Sequence, residues 1–158
     1  MKTNQSADRI FIDRKRRKYY LQVNESTDFF TAKLLYRNSK IGEIKGAFNS
    51  PDEFLISDIY IQNNVIHKPS NLLIALWRLI FKPKPIDYRQ NGLGTYLLQT
   101  TLAIARQNGL KRIYGSLTQE DINNNPNLIR WYKKHGFQVL PPSVENLKNS
   151  IYGISMDL

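Results

Sequence analysis

Apolar and polar positions alternate through much of the first sixty residues. Tyr19, Leu21 and Val23 interleave with Tyr20 and Gln22, and Phe30, Ala32, Leu34 and Tyr36 continue the same period of two. Residues 41–48 resume it after a compact turn at 37–40, with further turns at 24–28 and 49–52. A period of two is that of a strand with one face buried, so these segments predict meandering antiparallel strands. Ile10, Phe11 and Ile12 predict a short edge strand after a polar, frayed start. Residues 54–61, Phe-Leu-Ile-Ser-Asp-Ile-Tyr-Ile, form the most strand-like run, predicting a central strand buried on both faces. Ser57 and Asp58 are conspicuous inside it.

Beyond residue 61 the period changes. Residues 62–86 are too long for a simple turn and hold an apolar stretch, 72–81, interrupted only by Arg78 and flanked by Lys68, Lys82 and Lys84. About ten residues cannot span a bilayer. A helix packed on its own domain is the plain expectation; a membrane-surface element, a dimer contact and a lid over a cleft are the alternatives. A helical face follows at Leu93, Leu97, Leu98, Leu102, Ile104 and Ala105 and ends at Gly109, where a left-handed cap fits. A strand at 110–117 completes a strand–helix–strand crossover, and Asn125 followed by Pro126 predicts the start of a helix running to His135. Strands at 137–140 and 151–158 close the chain. The pattern predicts one α/β (α+β) domain over residues 1–158, a mixed sheet flanked by helices, with 62–86 as an insertion.

Composition narrows the chemistry. The 158 residues hold no cysteine, which removes disulfides, thiolate metal sites and cysteine nucleophiles and is compatible with a reducing cytoplasm. No apolar signal core opens the chain, so export is not expected. Two distant histidines give no metal-ligand spacing, and no metal is expected. The formal charge of +10, with a basic run at 14–18, favours anionic partners: a phosphorylated cofactor, nucleic acid or an acidic membrane. A solvated turn is the simpler reading of the run itself.

Residues 87–105 sharpen that preference. Arg89, Gln90, Asn91, Gly92, Leu93, Gly94 and Thr95 place an R-x-x-G-x-G turn directly before a helix. Glycines let backbone amides approach a ligand closely, and the unpaired N–H groups and dipole of a helix N-terminus favour phosphate. A P-loop is absent, and Leu97 stands where a dinucleotide fingerprint needs its third glycine. The turn resembles motif A of the GCN5-related N-acetyltransferases, the GNAT superfamily, which grips the pyrophosphate of acetyl-CoA. Asn125, Tyr132, Gly136 and Phe137 resemble motif B, with Leu128 replacing the usual alanine. Ser57-Asp58-Ile59-Tyr60-Ile61 resembles the strand end that precedes motif A in polyamine-type members.

The resemblance covers roughly residues 52–140 and departs from the family in three places. Arg89 lies 28 positions beyond Ile61 (61 to 89), where the family usually needs about five. The helices that usually follow the first strand are hard to find before Phe30. Ser57 stands where a catalytic glutamate often sits. The resemblance implies a GNAT fold that transfers acetyl from acetyl-CoA to a primary amine by direct attack. It implies Tyr132 as the acid for the leaving thiolate; Asp58 and Ser57 are candidates for taking the amine proton, and Tyr60 and Ile61 for a backbone donor to the thioester oxygen. It assigns residues 89–95 and Asn125 to the cofactor. The competing readings are a core aromatic for Tyr132, a structural hydrogen bond for Asp58, and a basic GNAT-fold protein that binds CoA or nucleic acid without turnover. The acceptor stays open among a small amine, a protein amine and an aminoacyl-tRNA, and so does homodimer formation.

Overall fold

The computed structural model describes residues 9–141 and 149–158. The period-two segments become β1 (Arg9–Ile12), β2 (Lys18–Glu25), β3 (Phe29–Tyr36), β4 (Ser39–Ser50) and β5 (Glu53–Ile61). Then follow α1 (Leu72–Ile80), α2 (Leu93–Gln107), β6 (Arg112–Thr118), α3 (Gln119–Asn124), α4 (Leu128–Lys134), β7 (Gln138–Leu140) and β8 (Ser150–Asp157). The strands form one sheet in the order β1-β2-β3-β4-β5-β6-β8-β7, antiparallel at every junction except the parallel β5–β6 pair. Chain logic explains that exception: β1 to β5 meander through tight turns, whereas β5 reaches β6 only by way of helices. Arg37 and Asn38 carry the β3–β4 hairpin at φ of 49° and 60°, the left-handed pair a two-residue hairpin requires. No described residue before Leu72 is helical, so β2 turns directly into β3.

One apolar core joins sheet and helices. Helix α2 buries Leu93, Leu97, Leu98, Leu102 and Ala105 against Phe30, Ala32, Leu34, Ile44 and Phe54 from the meander. Each such leucine contributes on the order of 1.5–3 kcal/mol through burial. The edge strand is stitched to the same helix by Phe11, which stacks on Tyr96 at 4.5 Å.

Four expectations are corrected. Residues 54–61 are not buried on both faces: only Phe54 and Ile56 are buried, and Ser57 and Asp58 are exposed. The reason is a bulge. Lys45 opposes Asp58 and Gly46 opposes Ile56, leaving Ser57 as the extra residue. The bulge shifts the alternation, so Ile59 and Ile61 follow Phe54 and Ile56 onto the core face while Asp58 and Tyr60 stand on the other. Second, Asn125 does not start a helix. It ends α3, its Oδ1 accepts from the Asn127 N–H at 3.2 Å, and α4 begins three residues later at Leu128. Third, α3 itself escaped the sequence pattern, although Thr118 and Asp121 form a reciprocal capping box readable as T-x-x-D. Fourth, α1 does not pack on its own domain: none of its residues is buried.

The basic run is also more than a solvated turn. Arg17 donates from Nε to the buried Asp13 at 2.6 Å, and the Tyr19 hydroxyl donates to the same carboxylate at 2.9 Å.

Candidate active site

The parallel pairing of β5 and β6 stops after Ile56 and Gly115. Beyond it, residues 57–61 pair only with β4, and Ser116 to Thr118 pair only with β8. The two strands part like the arms of a V. The Gln62 N–H donates to the Ile41 carbonyl at 2.8 Å, so by antiparallel alternation the N–H groups of Ile59 and Ile61 point away from β4, into the opening. Of the two backbone donors named from the sequence, Tyr60 and Ile61, the Ile61 N–H faces the opening and the Tyr60 N–H faces β4. Tyr60 instead turns its hydroxyl to Glu43 Oε2 at 3.1 Å.

The cradle stands at the mouth of this opening. Gln90 and Gly92 adopt left-handed φ of 60° and 81° on either side of Asn91, an alternation of hand that points successive backbone N–H groups into one concavity. Asn91 locks the turn by donating from Nδ2 to the carbonyls of Tyr88 at 3.0 Å and Arg89 at 2.8 Å. Gly92 is the N-cap of α2 and provides no side-chain cap, which leaves the first-turn amides facing outwards. A Cβ on Gly94 would stand 3.8 Å from Trp131 and 3.9 Å from Ile61, so the missing side chain keeps space open between cradle and V. Thr95 is held in place: its Oγ1 accepts from Trp131 Nε1 at 3.2 Å and lies 3.3 Å from His135 Nε2. Leu93 is buried in the core beneath. These residues suit a pyrophosphate-bearing ligand, with the amides as the donor set.

Arg89 precedes the turn on the molecular surface. Its guanidinium is exposed and paired with Asp87 at 2.7 Å, which raises its pKa and lowers that of Asp87. Asn125 is exposed and spends its side-chain oxygen on its own turn.

Tyr132 projects from α4 into the inner end of the V. Its ring lies edge-on to Trp131 at 4.9 Å and Phe137 at 5.2 Å, and it is 2% exposed. A recess of about 60 Å³ joins Tyr132 to Ser57 and Asp58 on β5, to Ser116 on β6 and to Asp121 on α3. Burial raises the Tyr132 pKa, with Asp121 and Asp58 adding to the effect. Partial burial also raises Asp58, assisted by Asp121 and opposed by Lys45. The structure thus brings Ser57, Asp58 and Tyr132 together.

Two residues were missed. Asp121 was hidden as an ordinary polar position of a short helix; the capping box was its signal. Glu43 is 2% exposed in the middle of β4, with Lys40 at 3.0 Å, Lys45 at 3.5 Å and Lys33 at 3.8 Å. Burial would raise its pKa, but the hydrogen bonds from Lys40 and Tyr60 and the nearby lysine charges win, and it is lowered.

The site thus consists of a mixed, mostly antiparallel sheet split between two strands, with an amide cradle at the start of the following helix. Residues 52–139 match the acetyltransferase (GNAT) domain model, and the chain belongs to that family. Solved structures share the fold at low identity. PaiA N-acetyltransferase from Thermoplasma acidophilum, in complex with coenzyme A, is 14% identical with a TM-score of 0.55, covering 83% of this chain and 62% of its own. Ard1 from Thermoplasma volcanium is 18% identical with a TM-score of 0.53, covering 81% and 70%. A GNAT family acetyltransferase from Elizabethkingia anophelis with acetyl-CoA bound is 14% identical with a TM-score of 0.55, covering 84% and 78%. This chain therefore spans less than two thirds of the length of the first of these. Comparison with curated proteins gives no match.

Proposed function

We propose that this protein is an acetyl-CoA-dependent N-acetyltransferase that transfers the acetyl group directly to a primary amine. The observation that carries the reading is the V between β5 and β6, with the amide cradle of residues 90–95 at its mouth and Tyr132 at its inner end. Acetyl-CoA supplies the activated thioester; the residues around the V do the rest. The cradle amides and the N-terminus of α2 hold the pyrophosphate. The Ile61 N–H donates to the thioester oxygen as negative charge grows there.

Asp58 and Asp121 make the recess attractive to an ammonium group. An amine must lose a proton to attack, since alkyl ammonium groups have a pKa near ~10.4. Asp58 accepts that proton directly or through water, and its raised pKa makes it a better base than an ordinary carboxylate. Ser57, the bulged residue, orients the amine or its water. The N–C bond forms, the C–S bond breaks, the Tyr132 hydroxyl gives its proton to the departing thiolate, and the proton left on the new amide nitrogen returns to the Tyr132 oxygen, directly or through water. Burial keeps Tyr132 protonated until that moment, and it raises the basicity of a thiolate in the same place.

Calorimetric titration of acetyl-CoA into the wild type and a Gly92→Glu variant tests the cradle. Micromolar binding is expected in the wild type, weakened at least about tenfold in the variant, equivalent to ~1.4 kcal/mol. Equal binding by the two proteins would overturn the assignment of the cradle.

A further inference from the structure

Helix α1 is the most exposed apolar element described. Leu72, Leu73, Trp77, Leu79, Ile80 and Phe81 are between 61% and 81% exposed, and no residue of the helix is buried. A helix apolar on nearly every side is normally found in a core or in lipid. Yet α1 is well built. Asn71 caps it by accepting from the Ile74 N–H at 2.9 Å, the Phe81 N–H closes it on the Trp77 carbonyl at 2.9 Å, and Trp77 stacks on Phe81 at 5.1 Å.

Its attachment is equally defined. A bridge between Val65 and Ile86 and a bond from the Tyr88 N–H to the Gln62 carbonyl at 3.0 Å form a neck. His67 pairs with the buried Tyr88 hydroxyl at 2.5 Å, and Arg78 donates back to the His67 carbonyl. The helix is thus carried between the end of β5 and the cradle, the two elements that border the V.

Charge selects the occupant of this face. Between Asp58 and Asp87 the chain has no acidic residue, while Lys68, Lys82 and Lys84 bracket the apolar helix and Arg78 is its one charged residue. A second copy of the chain docked through α1 would bring two such basic collars together at low charge separation, on a molecule already at +10. An anionic bilayer surface meets both demands, taking the apolar side chains below the headgroups and the lysines among the phosphates. We infer that α1 docks this protein on anionic membranes and presents the acyl-transfer cleft at the bilayer surface. The docking half of this inference does not depend on acetyl transfer.

The test mixes the full chain with vesicles of phosphatidylcholine, with and without phosphatidylglycerol, and reads co-sedimentation together with tryptophan fluorescence. Binding to the anionic vesicles is expected, weakened by added salt, with a blue shift from Trp77, since the other tryptophan, Trp131, is half-buried in the fold. A Lys68→Gln/Lys82→Gln/Lys84→Gln variant should lose about a hundredfold in partitioning. A Leu73→Ser/Trp77→Ser/Ile80→Ser variant should lose sedimentation altogether, with acetyl-CoA titration as a separate check of its fold. A Trp77→Phe variant should sediment without the blue shift. The inference is overturned by no sedimentation, by equal binding to neutral vesicles, by binding that survives the serine variant, or by a concentration-dependent dimer that α1 substitution abolishes.

Discussion

Asp13 shows how much a single carboxylate can organise. It accepts from the backbone N–H groups of Lys15 and Arg17 at 2.9 Å each, from the Arg17 guanidinium and from the Tyr19 hydroxyl. Burial alone would raise its pKa; the bonds from Arg17 and Tyr19 outweigh burial and lower it. The unfolded chain then takes up the proton first as pH falls. The contribution of Asp13 is fully present above about pH 4 and is lost as pH drops through its lower folded value. Asp13→Asn should cost roughly 3 kcal/mol at pH 7, because a partly buried Arg17 guanidinium is left unpaired, and the penalty should shrink in acid. Denaturant unfolding at pH 7 and pH 3 measures both. At Tyr132, phenylalanine keeps the ring packing and removes only the proton. Tyr132→Phe should lower kcat by about 10²-fold with KM for acetyl-CoA nearly unchanged, as steady-state kinetics would show. With Asp58 as the proposed base, its raised pKa should move the rise of activity to higher pH than an ordinary aspartate would give, and Asp58→Asn should remove that limb from the pH–rate profile.

At the scale of elements, the bulge in β5 couples stability to the site. Gly46 faces it, and a Cβ there would come 2.6 Å from the Leu55 carbonyl oxygen and collide with the Phe54 ring. Gly46→Ala should destabilise the protein by about 1–3 kcal/mol in thermal or denaturant unfolding, and should also lower turnover by disturbing the alternation that carries Asp58 to its face. That bulge was not legible in the sequence. Residues 54–61 read as one continuous apolar run, and only cross-strand registration reveals that two residues of β5 share one place on β4. Helix α2 and its glycine turn were legible because their determinants are local: helical spacing, two glycines and a capping Gly109. Helix α4 was legible in part; Tyr132 and Gly136 fell where expected, but its start moved because Asn125 was already committed to the end of α3.

For the molecule as a whole, residues 62–86 are the segment that carries α1 outside the apolar core. Its neck rests on His67, whose pKa is lowered by burial first and by Arg37 and Arg78 second. A depressed histidine takes up its proton later in the fold than in the unfolded chain, so the unfolded chain binds more protons as pH falls and stability should fall as pH drops below about 6.5. Limited proteolysis within 62–86 should accordingly be faster at pH 5.5 than at pH 7.5, while a His67→Phe variant should lose that dependence. The alternation of the meander, the amphipathic face of α2, the glycine cradle and the basic balance are written into the sequence, because each depends on near neighbours or on composition. The parting of β5 from β6, the meeting of Ser57, Asp58, Asp121 and Tyr132 across it and the exposure of α1 were decided by tertiary structure. Each depends on which distant segments register against one another, and a one-dimensional pattern carries no record of that.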